Sequence, residues 1–123
     1  MAGQDKGSSQ ELMRLIIKSS KVTAQVMQSL ELAQSGQKEE ANAELEQARK
    51  LSVEAHNLQT SLIQSELSGK ANPPSLLAVH AQDHFMNSHL LLELAAVFLN
   101  QIEEIEDLKA RIAKLEQVGE THE

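Results

Sequence analysis

The sequence predicts an all-α fold, an antiparallel three-helix bundle with a long third helix. Three long stretches repeat apolar residues at steps of three and four, and short breaks rich in Gly, Pro and Ser separate them. Aromatic residues make up only 2% of the 123 residues, fewer than a β-sandwich needs. A hydrophobic fraction of 41% supplies one domain of this length with a core.

The first predicted helix runs from about Gln10 to Gln34, and residues 1–9 are expected to be a disordered tail. Ser8 or Ser9 is suited to cap its start, and Gly36 is suited to end it in a left-handed conformation. Its apolar face is formed by Leu12, Leu15, Ile16, Ser19, Val22, Val26, Leu30 and Ala33.

The second predicted helix runs from about Lys38 to Glu66. Ser68-Gly69 and then Asn72-Pro73-Pro74 stop it, because proline lacks an amide hydrogen and restricts the residue before it. Its apolar stripe is formed by Ala41, Leu45, Ala48, Ala55, Leu58 and Leu62.

The third predicted helix begins near Pro74 or Ser75 and meets no Gly or Pro before Gly119, so it should span about 40 residues and about 60 Å. It therefore overhangs the two shorter helices. The overhang continues a seven-residue apolar repeat, interrupted by Gln101 and formed by Leu91, Leu94, Phe98, Ile105, Leu108, Ile112 and Leu115. Such a seam is typical of a coiled coil and predicts self-association, unless its last turns fray in solution. Residues 10–118 are thus one domain with a coiled-coil extension, and 119–123 a polar tail.

Composition excludes several classes of function. The net charge of −7 disfavours nucleic acid and anionic membranes as partners, and the absence of Cys excludes thiolate chemistry. The most apolar run, Leu90 to Leu99, contains Glu93 and is too short to cross a bilayer. The N-terminus lacks the apolar segment of a signal peptide, so we expect a cytoplasmic protein.

A group of polar side chains lies early in the third helix. Helical spacing places His80, Asp83 and His84 on one arc about 100° wide, and it places Gln82 roughly 200° from His80. Gln82 therefore cannot readily contact His80 of its own chain, but it could contact His80 of a neighbouring chain.

The His-x-x-Asp-His pattern has three interpretations. It suits metal ligands, a nucleophilic histidine with supporting groups, or a solvated polar face without a role. The metal interpretation would make the protein a non-enzymatic helical adaptor that uses the His/Asp cluster for assembly. No Lys or Arg lies between Lys70 and Lys109, which favours a site that passes a phosphoryl group on over one that holds it firmly.

The segment "VHAQDHFM", residues 79–86, resembles the active-site segment of the lactose/cellobiose (chitobiose) class of enzyme IIA. These proteins are the phosphoryl carriers of the bacterial sugar phosphotransferase system. The segments "LIIKSSKVTAQVMQSLELAQSG" (15–36) and "EAHNLQTSLIQSE" (54–66) are similar to the first and second helices of that family. The resemblance covers about residues 11–110.

This resemblance implies a homotrimer of three-helix chains. His80 would accept a phosphoryl group from phospho-HPr and pass it to a cysteine of enzyme IIB, for uptake of a β-glucoside, lactose or chitobiose-type disaccharide. Gln82 would position the group across the subunit boundary, and His84 would support the site by hydrogen bonding. Asp83 matches a carboxylate near the three-fold axis, where a divalent ion, most simply Mg²⁺, would offset like charges.

We expect structural or surface positions for the other histidines and for the apolar residues near the segment 79–86. Phe85 replaces an aliphatic residue, and Leu76 and Met86 are expected in the core. His56 suits structural hydrogen bonding, and His89 suits a surface or an interface. His122 belongs to the polar tail. The transported sugar is not encoded in any of these patterns.

Overall fold

The structure, a computed structural model, describes residues 2–70 and 75–121, with side chains for 9–70 and 75–120. Helix α1 spans Ala2–Gln34, α2 spans Lys38–Leu67, and α3 spans Leu76–Thr121. Within these residues there is no strand, and none of the helices is long and apolar enough to cross a membrane. The predicted all-α, three-helix fold is confirmed.

The three helices run antiparallel in chain order, and their core consists of two buried clusters, one toward each end of the bundle. Near the α1–α2 turn the buried cluster consists of Val22, Val26, Leu45, Ala48, Leu92 and Ala95. At the opposite end it consists of Leu12, Leu15, Ala55, Ala81 and Phe85. Residue numbers rise along α1 and α3 and fall along α2 between the two clusters, which is the order that short turns impose.

Two glycines end the first two helices. Gly36 has φ 85° and Gly69 has φ 77°, in the left-handed region where only glycine avoids a steric penalty. After α1, Gly36 N–H donates to the Ala33 carbonyl and Gln37 N–H to the Leu32 carbonyl, which is a Schellman motif. The predicted ends of both helices are therefore confirmed, while the Asn72-Pro73-Pro74 stop lies outside the described residues.

The outer ends of α1 and α3 differ from the prediction. Helix α1 begins at Ala2, so the stretch predicted as a disordered tail is helical from that residue and Ser9 lies inside a helix, not at its cap. Extending an existing helix adds a hydrogen bond per residue without a new nucleation cost. Helix α3 continues through Gly119 to Thr121 for the same reason. Its start is capped by Ser75, whose Oγ accepts from the Ala78 N–H at 3.1 Å.

Helix α3 extends well past the bundle. It has 46 residues, which is about 69 Å, against 33 and 30 residues for α1 and α2. Lys38, the first residue of α2, forms an ion pair with Glu103, so the α1–α2 turn lies at this level of α3. Every described side chain from residue 103 onward is exposed. The predicted overhang is confirmed.

Small polar side chains fill part of the core. Ser29 and Ser88 are fully buried and donate to backbone carbonyls, Ser29 to that of Ala41 at 2.7 Å and Ser88 to that of Phe85 at 2.8 Å. Ser19 is equally buried, and its Oγ has no hydrogen-bond partner within the described part of the chain. Serine at these positions lets the helices approach closely, at an energetic cost wherever the hydroxyl is unpaired.

Candidate functional site

The two histidines of the predicted cluster lie on one face of α3 and contact each other. Nε2 of His84 lies 3.1 Å from Nε2 of His80, and the two ring planes meet nearly at right angles with centroids 4.5 Å apart. His80 is exposed and His84 is half-buried. The exposed ring is therefore supported from the bundle side by the second ring, as the spacing of one helical turn predicts.

Helix α1 contributes to the same cluster through Ser20. The Oγ of Ser20 lies 3.4 Å from Nδ1 of His84, so His84 stands between Ser20 and His80. A neutral imidazole has one donor and one acceptor nitrogen, and the hydroxyl can serve in either role. The proton on His84 therefore determines which role His80 Nε2 takes in their contact.

Gln82 faces α2 on the other side of α3. Its side chain is half-buried, and its Oε1 accepts a hydrogen bond from Nε2 of Gln59 at 2.8 Å. This bond fixes the carboxamide so that its oxygen is engaged and its NH₂ group remains as a donor. Gln82 makes no hydrogen bond to its own His80 within the described residues, in agreement with the predicted angular separation.

Asp83 is exposed on the outer surface of α3. Among the residues that the structure describes, no three His, Cys, Asp or Glu side chains come together in a way that could hold a metal ion. The metal interpretation of the His80–Asp83–His84 cluster within one chain therefore has no support. A site for a divalent ion at Asp83 would need ligands from several chains.

Exposed apolar side chains lie in the same part of α3 as the histidine pair. Leu76 is 86% exposed, Val79 62% and Met86 53%. The expectation that Leu76 and Met86 belong to the core is wrong. The apolar side chains of residues 76–86 that pack in the core cluster are Ala81 and Phe85, with the partly buried Leu77 and Ala78 against them.

Leu76 lies one helical turn before His80 and Val79 is next to it in sequence, so His80 has the apolar neighbours of a protein-docking surface that excludes water. Met86 lies on the Gln82 side of α3, with its sulfur 3.9 Å from Nε2 of Gln59.

The other histidines lie apart from this pair. The His89 ring stacks on buried Phe85 with centroids 6.0 Å apart, and its Nε2 lies 3.1 Å from Oε1 of Glu93. The exposed His56 ring lies against Phe85 from α2, with centroids 6.2 Å apart. His56 is thus a contact of the α2–α3 interface, while the contacts of His89 lie within α3. His122 lies outside the described residues.

Two residues of the site were not predicted from the sequence. Ser20 and Gln59 are distant in sequence from the segment 79–86, and each meets it only because α1 and α2 pack beside α3. Ser20 is one of two adjacent serines in α1, and no motif distinguishes it. No sequence pattern available in a single chain identifies either one.

Fold and site together define a class: a helical-bundle protein that presents a supported, exposed histidine on a surface suited to protein partners. The chain belongs to the family described as "PTS system, Lactose/Cellobiose specific IIA subunit", whose family model matches residues 10–103. The match includes the whole segment 79–86 and ends at Glu103, where the α3 overhang begins.

Curated relatives agree with this membership. The chain is 35% identical over 96 residues to the lichenan-specific phosphotransferase enzyme IIA component of Bacillus subtilis, which covers 78% of this chain and 87% of that protein. It is 39% identical over 83 residues to the N,N'-diacetylchitobiose-specific EIIA component of Escherichia coli K12, covering 68% and 72%. The resemblance drawn from the sequence is confirmed.

Solved structures show the same fold. The cellobiose-specific enzyme IIA from Bacillus anthracis superposes with a TM-score of 0.77 at 38% identity, over 80% of this chain and 90% of that one. The chitobiose-specific IIA of Escherichia coli, solved in complex with HPr, superposes with a TM-score of 0.69 at 33% identity, over 79% and 94%. The chain is thus a phosphotransferase component of the lactose/cellobiose type.

Proposed function

We propose that this protein is a cytoplasmic phosphoryl carrier in which His80 accepts a phosphoryl group from phospho-HPr and passes it to a cysteine of enzyme IIB. The sugar taken up would be a disaccharide of the β-glucoside, lactose or chitobiose type. The observation that carries the proposal is the exposed His80 ring, supported by His84, inside the segment that the family model matches. The similarity to a IIA solved with HPr supports the choice of donor.

Each transfer exchanges one bond to phosphorus for another. An unprotonated ring nitrogen of His80 forms an N–P bond while the bond between phosphorus and HPr breaks, and HPr recovers the electron pair. In the second step the IIB thiolate forms an S–P bond while the N–P bond to His80 breaks. Such a transfer is accelerated mainly by a positioned nucleophile and by hydrogen-bond donors near the oxygens of the phosphoryl group.

The surroundings of His80 suit a carrier. Helix α3 carries no Lys or Arg before Lys109, so its own side chains offer the phosphorylated ring no fixed cation that would hold the group back. His84 keeps the exposed ring in a defined orientation, and the exposed apolar side chains of Leu76 and Val79 beside it suit docking with exclusion of water. A phosphoryl group on an exposed ring without a cation beside it is readily released to enzyme IIB.

A homotrimer would complete the site. Between the histidine site and the overhang, α3 carries four large apolar side chains that are at least 42% exposed and favour burial against other copies: Leu90, Leu94, Val97 and Phe98. The free NH₂ group of Gln82 would then donate to a phosphoryl oxygen on His80 of the next subunit. Three exposed Asp83 carboxylates near a three-fold axis would present the oxygen ligands that Mg²⁺ prefers, and a bound ion would offset their repulsion.

Reconstituted phosphorylation tests the proposal. The protein is incubated with phosphoenolpyruvate, enzyme I and HPr, and its intact mass should rise by one acid-labile phosphate per chain. His80→Ala should gain no phosphate, while His89→Ala, on the same helix but in contact with Phe85, should be labelled as the wild type is. Added IIB should then gain the phosphate that the carrier loses. Labelling of a folded His80→Ala protein would refute the assignment.

A further inference from the structure

Ser20 of α1 contacts the histidine pair of α3 from a second helix. Its Oγ lies 3.4 Å from Nδ1 of His84, and Nε2 of the same ring lies 3.1 Å from Nε2 of His80. The hydroxyl and the His80 ring therefore meet different nitrogens of His84. In a neutral imidazole one nitrogen donates and the other accepts, so the group that engages Nδ1 of His84 determines what its Nε2 offers to His80.

The hydroxyl of Ser20 is used differently from those of other serines in the chain. The hydroxyls of Ser35, Ser68 and Ser88 donate to the backbone carbonyl three residues earlier, at 3.0, 3.0 and 2.8 Å. Ser20 makes no such bond within the part of the chain that the structure describes, and its Oγ meets His84 instead. The hydroxyl proton of Ser20 is therefore available to the lone pair of His84 Nδ1.

We propose that Ser20 is a positioning residue for phosphoryl transfer that acts through His84, an inference that rests on the proposed function of His80. The O–H of Ser20 donates to Nδ1 of His84, so the neutral His84 ring carries its proton on Nε2 and donates it to Nε2 of His80. The His80 ring then carries its own proton on Nδ1. Nε2 of His80 is thus the unprotonated nitrogen that forms the N–P bond.

This arrangement supplies the phosphoryl group with a donor from the same chain. Once the lone pair of His80 Nε2 is used in the N–P bond, the Nε2–H of His84 no longer has that acceptor and donates to a phosphoryl oxygen. Ser20 and His84 form and break no covalent bond, and the phosphoryl group and the electron pair move between HPr and His80 alone. With the His84 proton on Nδ1 and given to Ser20, Nε2 of His84 would offer the phosphoryl oxygens only a lone pair.

Nitrogen-15 NMR of the unphosphorylated full-length protein tests the state of the His84 ring without any transfer assay. His84 should show a protonated Nε2 and an unprotonated Nδ1 whose resonance is shifted by the hydrogen bond that it accepts. Ser20→Ala should move the Nδ1 resonance toward that of a free unprotonated nitrogen, while Ser20→Thr, which keeps a hydroxyl, should leave it near the wild-type position. A wild-type His84 protonated on Nδ1, or an Nδ1 resonance that Ser20→Ala does not move, would overturn the proposal.

Single turnovers with phospho-HPr test the consequence for transfer. Ser20→Ala should lower the rate at saturating phospho-HPr by about two- to tenfold, the size expected for one neutral hydrogen bond, with the half-saturating concentration unchanged. Ser20→Thr should restore the rate, and Ser61→Ala, at an exposed position of α2, should transfer as the wild type does. A raised half-saturating concentration with an unchanged maximal rate would make Ser20 a docking residue and refute the positioning role.

The variant that combines Ser20→Ala with His84→Ala tests the path through His84. If Ser20 acts only through that ring, the double variant should transfer at the rate of His84→Ala alone. A further two- to tenfold loss in the double variant would show that Ser20 acts independently of His84 and would refute this path. Absence of phosphate on His80 of the wild type would refute the proposed function and the positioning role with it, whereas normal labelling with an unchanged Ser20→Ala rate would refute the positioning role alone.

Discussion

Nε2 of His84 lies 3.1 Å from Nε2 of His80, one helical turn away on the exposed face of α3. The other nitrogen of His84 lies 3.4 Å from the hydroxyl of Ser20 on α1. His84 is half-buried and His80 is exposed. The helical bundle therefore orients the His84 ring, and the His84 ring orients the His80 ring. The reacting group is therefore oriented by the fold without being enclosed by it.

Replacing His84 should slow phosphoryl transfer without preventing it. His84→Ala removes the contact that orients His80, so we expect the phosphorylation rate to fall by about 100-fold, the size of loss that misplacing a reacting group can cause. Rapid-quench single turnovers with phospho-HPr measure this rate. The matched control is His89→Ala, which loses a histidine from the same helix and should transfer normally. A His84→Ala rate equal to that of the control would contradict the role given to this contact.

The hydrogen bond from Gln59 to Gln82 should matter for transfer although neither residue touches His80 of its own chain. Gln59→Leu leaves the Gln82 carboxamide free to rotate, and losing one such bond should lower the transfer rate by about two- to tenfold. The same single-turnover assay measures it. Gln47→Leu, an exposed position on α2, serves as the control. If Gln59→Leu is unchanged while Gln82→Leu is impaired, Gln82 works without being oriented from α2.

The sequence predicted the features that depend on local pattern. Gly36 was identified as a helix end because a left-handed residue is a local requirement there, and His80 and His84 were placed together because helical spacing fixes their separation. The absence of Gly and Pro before Gly119 indicated the α3 overhang, and the seven-residue repeat indicated its apolar seam. A periodic pattern over many residues averages out single exceptions such as Gln101.

Features that depend on packing between helices could not be predicted this way. Ser20 and Gln59 reach the site only through the relative rotation of α1 and α2 against α3, which no single-chain pattern specifies. Leu76 and Met86 were assigned to the core by their hydrophobicity, yet they lie on the arc of α3 that the other two helices leave uncovered. The start of α1 at Ala2 was missed because no sequence signal marks how far an established helix extends.

Two buried serines of α1 should respond oppositely to replacement by alanine. Ser29→Ala removes a donor to the Ala41 carbonyl at 2.7 Å, and it should lower the free energy of unfolding by about 1 kcal/mol. Ser19→Ala removes a buried hydroxyl that has no partner within the described residues, so it should be neutral or stabilise by up to about 1 kcal/mol. Urea unfolding followed by circular dichroism measures both. Equal destabilisation would show that the Ser19 hydroxyl is hydrogen-bonded in solution.

Two glycines provide a second matched pair, because a methyl group at either position would meet no heavy atom within 4 Å. Gly36 has φ 85°, where an L-residue is strained, so Gly36→Ala should lower the free energy of unfolding by about 1 to 2 kcal/mol. Gly119 lies inside α3, where alanine is the better helix former, so Gly119→Ala should raise helicity and add at most about 1 kcal/mol. Urea unfolding and far-ultraviolet circular dichroism measure the two effects. A stabilising Gly36→Ala would mean that the α1–α2 turn does not adopt its left-handed conformation in solution.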